Sequence, residues 1–278
     1  MSSGTLYRIA AFSATPDGGN PAGVWVGDEL PAAQEMQAIA ADVGFSETAF
    51  VAPAEGTERT VRYYSPEIEV PFCGHATVAA GYVLGTDDKT TYSFATTVGE
   101  VPVTVRSQDG EVLVSLKSVE PQQKPVPEGL LEETLQALGW HLDDLDPAIP
   151  PMMIFAGIWH LALAVKTETR LADLDYDFDG LRVLMQDHNF LTAQLIWRES
   201  HALFRARDPF PIGGIVEDPA TGSAAAALGG YLRDANLLDA PAQIEIRQGE
   251  AMGRPSRLCV DIPESGGIVV SGTAVPMG

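Results

Sequence analysis

The chain has 278 residues, 45% hydrophobic and 20% charged, with 38 Asp and Glu against 17 Lys and Arg. That apolar share can build a core and excludes global disorder, and the length suits one large domain or two modest ones. The formal net charge of −21 excludes binders of nucleic acid or of anionic membrane surfaces, and no apolar run reaches the length of a membrane span.

The opening run, Met1 to Arg8, lacks the shape of a signal peptide. β-like segments follow at Tyr7–Phe12 and Gly23–Val26, then a helical pattern over Pro31–Val43 with proline at its first position. Further β-like segments are Thr48–Val51, Thr60–Tyr64, Thr90–Phe94, Val101–Arg106 and Glu111–Leu116, rich in Val, Thr, Tyr and Phe. Between them, Ala76–Leu84 is small and apolar on every side, the pattern of a helix buried all round. Val119–Gly129, with three prolines, reads as a linker. Beyond it come a helix at Leu130–Leu138, a strand at Ile158–Val165, a helix at Phe178–Asp187, strands at Ala193–Arg198 and Ala202–Arg207, and a second small apolar helix at Ser223–Ala235.

The two halves repeat one another. Val61-Arg-Tyr-Tyr-Ser-Pro66 parallels Phe204-Arg-Ala-Arg-Asp-Pro209, and each precedes a turn with glycine and an Ala-rich helix. Residues 79–84 match 228–232, and 18–26 match 155–161. Duplicated halves suggest a cleft between them, a common place for a small-molecule site.

Both Ala-rich helices begin beside a glycine and a small polar residue, in Pro71-Phe-Cys-Gly-His-Ala-Thr77 and Glu217-Asp-Pro-Ala-Thr-Gly-Ser-Ala224. The unpaired amides of a helix start attract a carboxylate, and so could recruit a small anionic metabolite to an acidic protein. Thr221 and Ser223 are equally suited to ordinary capping. Glu47, between Phe45 and Phe50, suits proton transfer if it is held partly out of water. His75 could donate a proton or pack in the core; as a metal ligand its only neighbour at useful spacing is Cys73, so no metal is expected. Asp218 could cap a turn or hold a substrate amine. Cys73, beside a helix start, could be a nucleophile, a proton carrier or a small buried apolar group. Cys259, in Arg257-Leu-Cys-Val-Asp261, reads as strand core. Two distant cysteines form no disulfide scaffold, which points to a reducing, cytoplasmic setting. Gly18-Gly-Asn-Pro-Ala-Gly23 lacks the ending and context of a phosphate loop, and Gly222-Ser-Ala is not a nucleophile elbow.

Five motifs then occur in order: Gly18-Gly-Asn-Pro21, Phe45-Ser-Glu-Thr48, Cys73-Gly-His-Ala-Thr77, Glu217-Asp-Pro-Ala-Thr-Gly-Ser223 and Gly253-Arg-Pro-Ser256. Together the chain resembles the PhzF-like family of phenazine-biosynthesis isomerases. The resemblance implies an α+β fold of two duplicated diaminopimelate epimerase-like domains, each a barrel-like mixed sheet wrapped around a central helix. These would span residues 1–118, joined by a C-terminal strand near 266–278, and 119–265. It also implies a homodimer and an isomerase without cofactor or metal, which moves a proton between carbons of a small amino or hydroxy carboxylic acid. Glu47 would be the general acid/base, with His75 and Asp218 beside it. Asn20, Ser46, Cys73, Gly74, Gly222 and Ser223 would bind substrate. Epimerases and racemases of the wider superfamily use two cysteines, one at each helix start; here the second position is Pro219, so a two-thiol reaction is not available. A Cys73-assisted dehydratase or epimerase, and a non-catalytic binding protein on the same fold, are the alternative readings.

Overall fold

The computed structural model describes residues 3–86, 88–108 and 110–278; Met1 and Ser2 of the opening run lie outside the described residues. The chain divides into two compact units, Met1–Lys117 with Ser271–Gly278, and Ser118–Val270.

Unit 1 contains β1 (Gly4–Ala11), β2 (Asn20–Gly27), α1 (Ala33–Val43), β3 (Glu47–Pro53), β4 (Glu58–Tyr64), β5 (Glu69–Val70), α2 (Gly74–Leu84), β6 (Lys89–Thr96), β7 (Gly99–Gln108) and β8 (Glu111–Lys117). Unit 2 contains β9 (Gln122–Lys124), α3 (Leu130–Leu138), β10 (Met152–Phe155), β11 (Trp159–Val165), α4 (Glu168–Ala172), α5 (Phe178–His188), β12 (Ala193–Arg198), β13 (Leu203–Phe210), β14 (Ile215–Asp218), α6 (Gly222–Asp234), β15 (Ala242–Gln248) and β16 (Ser256–Ile262). The last strand, β17 (Val269–Pro276), returns to unit 1.

In unit 1 the strands form a closed ring, β1–β2–β3–β4–β6–β7–β8–β17 and back to β1. The pairs β2–β3 and β4–β6 are parallel, whereas β1–β2, β3–β4 and β6–β7 are antiparallel. Unit 2 repeats the alternation in β10–β11–β12–β13–β15–β16, with β11–β12 and β13–β15 parallel. Even the short side strands correspond, β5 on β4 and β14 on β13. The duplication read from the sequence is therefore present strand by strand.

Each repeat encloses one Ala-rich helix. Residues His75–Gly81 of α2 and Ala224–Leu232 of α6 are all buried, which is why neither carries a polar face. Close approach sets the glycines: a Cβ on Gly230 would lie 2.3 Å from Pro121 Cβ. That contact also corrects the linker reading of Val119–Gly129, because this stretch holds β9, which pairs with β10, and Pro121, which packs on α6.

Other helices cover the outer faces. In unit 1, Met36 and Ala40 of α1 pack on Trp25, Phe50 and Tyr64. In unit 2, Leu130, Leu135 and Leu138 of α3 and Leu181 and Met185 of α5 pack on Leu161, Leu163 and Val165 of β11. Because β11 is covered on both faces, it reads as a continuous apolar run interrupted by one histidine, His160. Fully burying one such leucine stabilises by about 1.5–3 kcal/mol. Cys259 departs from its expected core position: Leu258 and Val260 turn inward while Cys259 is only partly covered, as period-2 alternation requires. Among the described residues, no helix is long and apolar enough to cross a membrane.

Candidate active site

In unit 1 the parallel register pairs Ala22 with Glu47, so β2 and β3 start at one rim with Asn20 and Glu47 as their first residues. Gly44 ends α1 in the left-handed conformation (φ 70°), and the chain enters β3 through Phe45 and Ser46. At the same rim α2 starts. Thr77 Oγ1 donates to the Cys73 carbonyl at 2.7 Å and lies 2.6 Å from the Tyr63 hydroxyl, which ties the helix start to β4. Desolvation in this core raises the Tyr63 phenol well above its ordinary value, so it remains a neutral hydrogen-bonding group.

Five side chains converge there. His75 Nε2 lies 3.4 Å from Glu47 Oε2 and 3.4 Å from Ser46 Oγ. Asn20 Nδ2 donates to His75 Nδ1 at 3.2 Å, which places the ring proton on Nε2, toward the carboxylate. Cys73 Sγ is 3.6 Å from Glu47 Oε2 and 3.4 Å from His75 Nδ1. His75 and Cys73 are buried, whereas the Glu47 side chain is 19% exposed. A carboxylate with a histidine, a thiol and an amide around it, at the edge of the core, can exchange a proton with a bound molecule. The same carboxylate, thiol and imidazole atoms all lie within 4.8 Å of one another, a donor set of the kind zinc accepts. Sequence spacing drew attention only to Cys73 and His75 as a metal pair; Glu47 reaches them from another strand.

In unit 2 the residues of the second motif gather at the start of α6. Asp218 ends β14, and its Oδ2 accepts from Thr221 Oγ1 at 2.6 Å. Gln248 locks this turn: its Nε2 donates to the Asp218 carbonyl at 2.7 Å and its Oε1 accepts from the Thr221 amide at 3.1 Å. Gly249, which follows, has φ 76°, and a Cβ there would lie 2.3 Å from the Arg254 carbonyl and 2.8 Å from that of Pro219. Gly249 is therefore enclosed between a carbonyl of the Gly253-Arg-Pro-Ser256 motif and one of the Asp218–Pro219 turn.

Neither α2 nor α6 receives a hydrogen bond from the side chain of its N-cap residue, Cys73 or Thr221. Ser223 does not cap either: its Oγ lies 3.1 Å from His160 Nε2. His160 Nδ1 lies 2.8 Å from Thr192 Oγ1, and Thr192 Oγ1 lies 3.1 Å from Asp208 Oδ1. This chain of side chains escaped the sequence reading. Its members sit on α6, β11, β13 and the loop just before β12, and only the lone histidine within an apolar strand marked it.

The structure thus brings Asn20, Ser46, Glu47, Cys73, Gly74 and His75 together in unit 1, and Asp218, Gly222 and Ser223 together in unit 2. Comparison with known proteins gives the context. Residues 9–278 match the PhzC-PhzF family, described as phenazine biosynthesis-like protein. The chain belongs to this family. It is 31% identical over 288 residues to a Bacillus subtilis protein named as the uncharacterized isomerase YfhB, covering 99% of this chain and 97% of the relative. It is 32% identical over 263 residues to the trans-2,3-dihydro-3-hydroxyanthranilate isomerase of Pseudomonas aeruginosa, covering 90% and 87%. Among solved structures, a PhzF-family phenazine biosynthesis protein from Bacillus anthracis aligns with TM-score 0.86 at 26% identity, over 98% of this chain and 96% of that one. A probable proline racemase from Agrobacterium radiobacter aligns at TM-score 0.65 over 99% and 92%, and at 12% identity the likeness is one of fold. The diaminopimelate epimerase-like fold of the PhzF-like chain is thereby established.

Proposed function

We propose that the protein is an isomerase that moves a proton between carbons of a small amino or hydroxy carboxylic acid, with Glu47 as general acid/base and no cofactor or metal. The observation that carries this reading is the Glu47 carboxylate within 3.4 Å of His75 and 3.6 Å of Cys73, at the start of a buried helix. Family membership adds that relatives over nearly the whole chain are named isomerases.

In this reading Glu47 removes a proton from a carbon beside an unsaturated system and returns it at another carbon. His75, anchored by Asn20, holds the glutamate and stabilises the charge that moves onto the substrate. In unit 1 the amides around Gly74, and in unit 2 the amides around Gly222 with the Ser223 hydroxyl, each suit a substrate carboxylate, which offsets the repulsion from a chain of net charge −21. Ser46 and Cys73 serve as substrate contacts in unit 1, and in unit 2 Asp218 serves as an acceptor for an amino or hydroxy group. The working form is a cytoplasmic homodimer.

The test is deuterium incorporation from solvent into a panel of small amino and hydroxy acids. Glu47→Gln should abolish incorporation at the substrate carbon, a loss of at least about a hundredfold, with folding intact by circular dichroism. Exchange at the unaltered rate would remove Glu47 from the role. The contact of Cys73 with both Glu47 and His75 favours one second reading, a thiol-assisted epimerase or dehydratase. Cys73→Ser separates the two: a residual rate close to that of the parent supports the glutamate reading, and complete loss supports the thiol one. Dialysis against a chelator should leave the exchange rate unchanged.

A further inference from the structure

The Ser223–His160–Thr192–Asp208 chain has two possible directions. When Thr192 and His160 each donate to one neighbour and accept from the other, Thr192 donating to Asp208 means that it accepts from His160 Nδ1, and His160 Nε2 then accepts from Ser223. In the other direction Asp208 donates to Thr192, Thr192 donates to Nδ1, and Nε2–H donates to Ser223 Oγ. Only the second direction leaves the Ser223 proton directed away from the chain, toward a ligand. His160, Thr192 and Asp208 are all fully buried, and Ser223 is the one partly exposed member.

We infer that Asp208 is a positioning residue that, through Thr192 and His160, fixes the hydrogen-bond polarity of Ser223 and makes its hydroxyl a donor to an anionic ligand. The inference rests on the proposed reading of Ser223 as a substrate-binding group. The end of the chain decides the direction, because a carboxyl that keeps its proton donates and an ionised one accepts. Burial holds the Asp208 carboxyl well above the usual carboxylate range. The facing charges act the same way: Asp218 stands opposite across the β13–β14 pair, and Glu217 stands beside it with its own charge met by Arg207. His160 is neutral, since burial lowers it to about 3, so its ring carries a single proton and can take only one of the two directions. A neutral chain of this polarity also suits an anion. It presents a hydroxyl hydrogen to a carboxylate without placing a second negative charge behind it.

The ring proton is the readout. In full-length protein labelled with 15N-histidine, His160 should show a pyrrole-type Nε2 and a pyridine-type Nδ1 at neutral pH, and the 13C carboxyl shift of Asp208 should be that of the protonated acid. A proton on Nδ1, or an ionised Asp208, overturns the inference. The opposite polarity of the same hydrogen bonds would place the ring proton on Nδ1. The consequence for binding is read by calorimetric titration with anthranilate, which carries a carboxylate, and anthranilamide, which does not. Ser223→Ala should weaken anthranilate about tenfold and anthranilamide less. Equal losses, or none, also overturn it, and the tautomer alone decides if neither probe binds. The tautomer does not depend on Glu47, so a failed exchange experiment with Glu47→Gln leaves this result standing, and the reverse.

Discussion

His160 and Asp208 pull the pH dependence of stability in opposite directions. The unfolded chain protonates His160 below its ordinary value of 6.5, whereas the folded ring stays neutral down to about 3. The unfolded state therefore holds more protons in that window, and stability falls as pH drops through it. Asp208 has the reverse sign. Its folded value lies well above 3.8, so above 3.8 the folded state holds the extra proton and stability falls as pH rises. Between 3.8 and 6.5 the two slopes oppose each other. Asp208→Asn removes one of them. The variant should gain on the parent as pH rises above 3.8, with a slope near 1.4 kcal/mol per pH unit until the native carboxyl titrates. Urea melts across a pH series would measure it, and parallel curves for the two proteins would refute it. Glu47, Cys73 and His75 were legible in the sequence because each sits in a motif with a helix start or an apolar flank nearby. Thr192 and Asp208 were not, because a polar residue on or beside a strand shows its purpose only once neighbouring strands bring its partners.

The two Ala-rich helices were the most legible elements, since a helix without a polar face can only lie inside. Their glycines report how near the surrounding wall comes. A methyl group on Gly230 would meet Pro121 Cβ at 2.3 Å, and one on Gly81 would meet Val114 Cγ1 at 2.7 Å. Gly230→Ala should therefore destabilise by about 1–3 kcal/mol despite its better helix propensity, seen as a lower denaturant midpoint with an unchanged slope. A neutral or stabilised variant would mean that β9 shifts freely. Strand β9 itself went unread because Gln122, Gln123 and Lys124 are all exposed and show no alternation. Strands β10 and β14 are four residues each, too short for periodicity to speak.

For the molecule as a whole, β17 is the strand that matters most. It pairs with both β1 and β8, and it is the only stretch of unit 1 that follows unit 2 in the chain. Ser271 Oγ donates to Ser115 Oγ at 2.8 Å and Thr273 Oγ1 to the Ser13 carbonyl at 3.2 Å, so the closure is fastened by side chains as well as by the ladder. Ending the chain after Ile268 should expose the edges of β1 and β8, which are templates for aggregation. Size-exclusion chromatography should then show aggregation, and amide exchange in β1 and β8 should accelerate; retained protection there would show that the ring does not need this strand.

The same threading imposes an order on biosynthesis. A ribosome releases seven of the ring's eight strands early, yet the barrel they belong to must wait, two edges open, while all of unit 2 is translated. At ~5–20 residues per second that delay is on the order of ten seconds. The cluster around Glu47 thus acquires its finished scaffold last, and a nascent chain stalled between β8 and β17 carries every residue of that cluster inside an unsealed barrel.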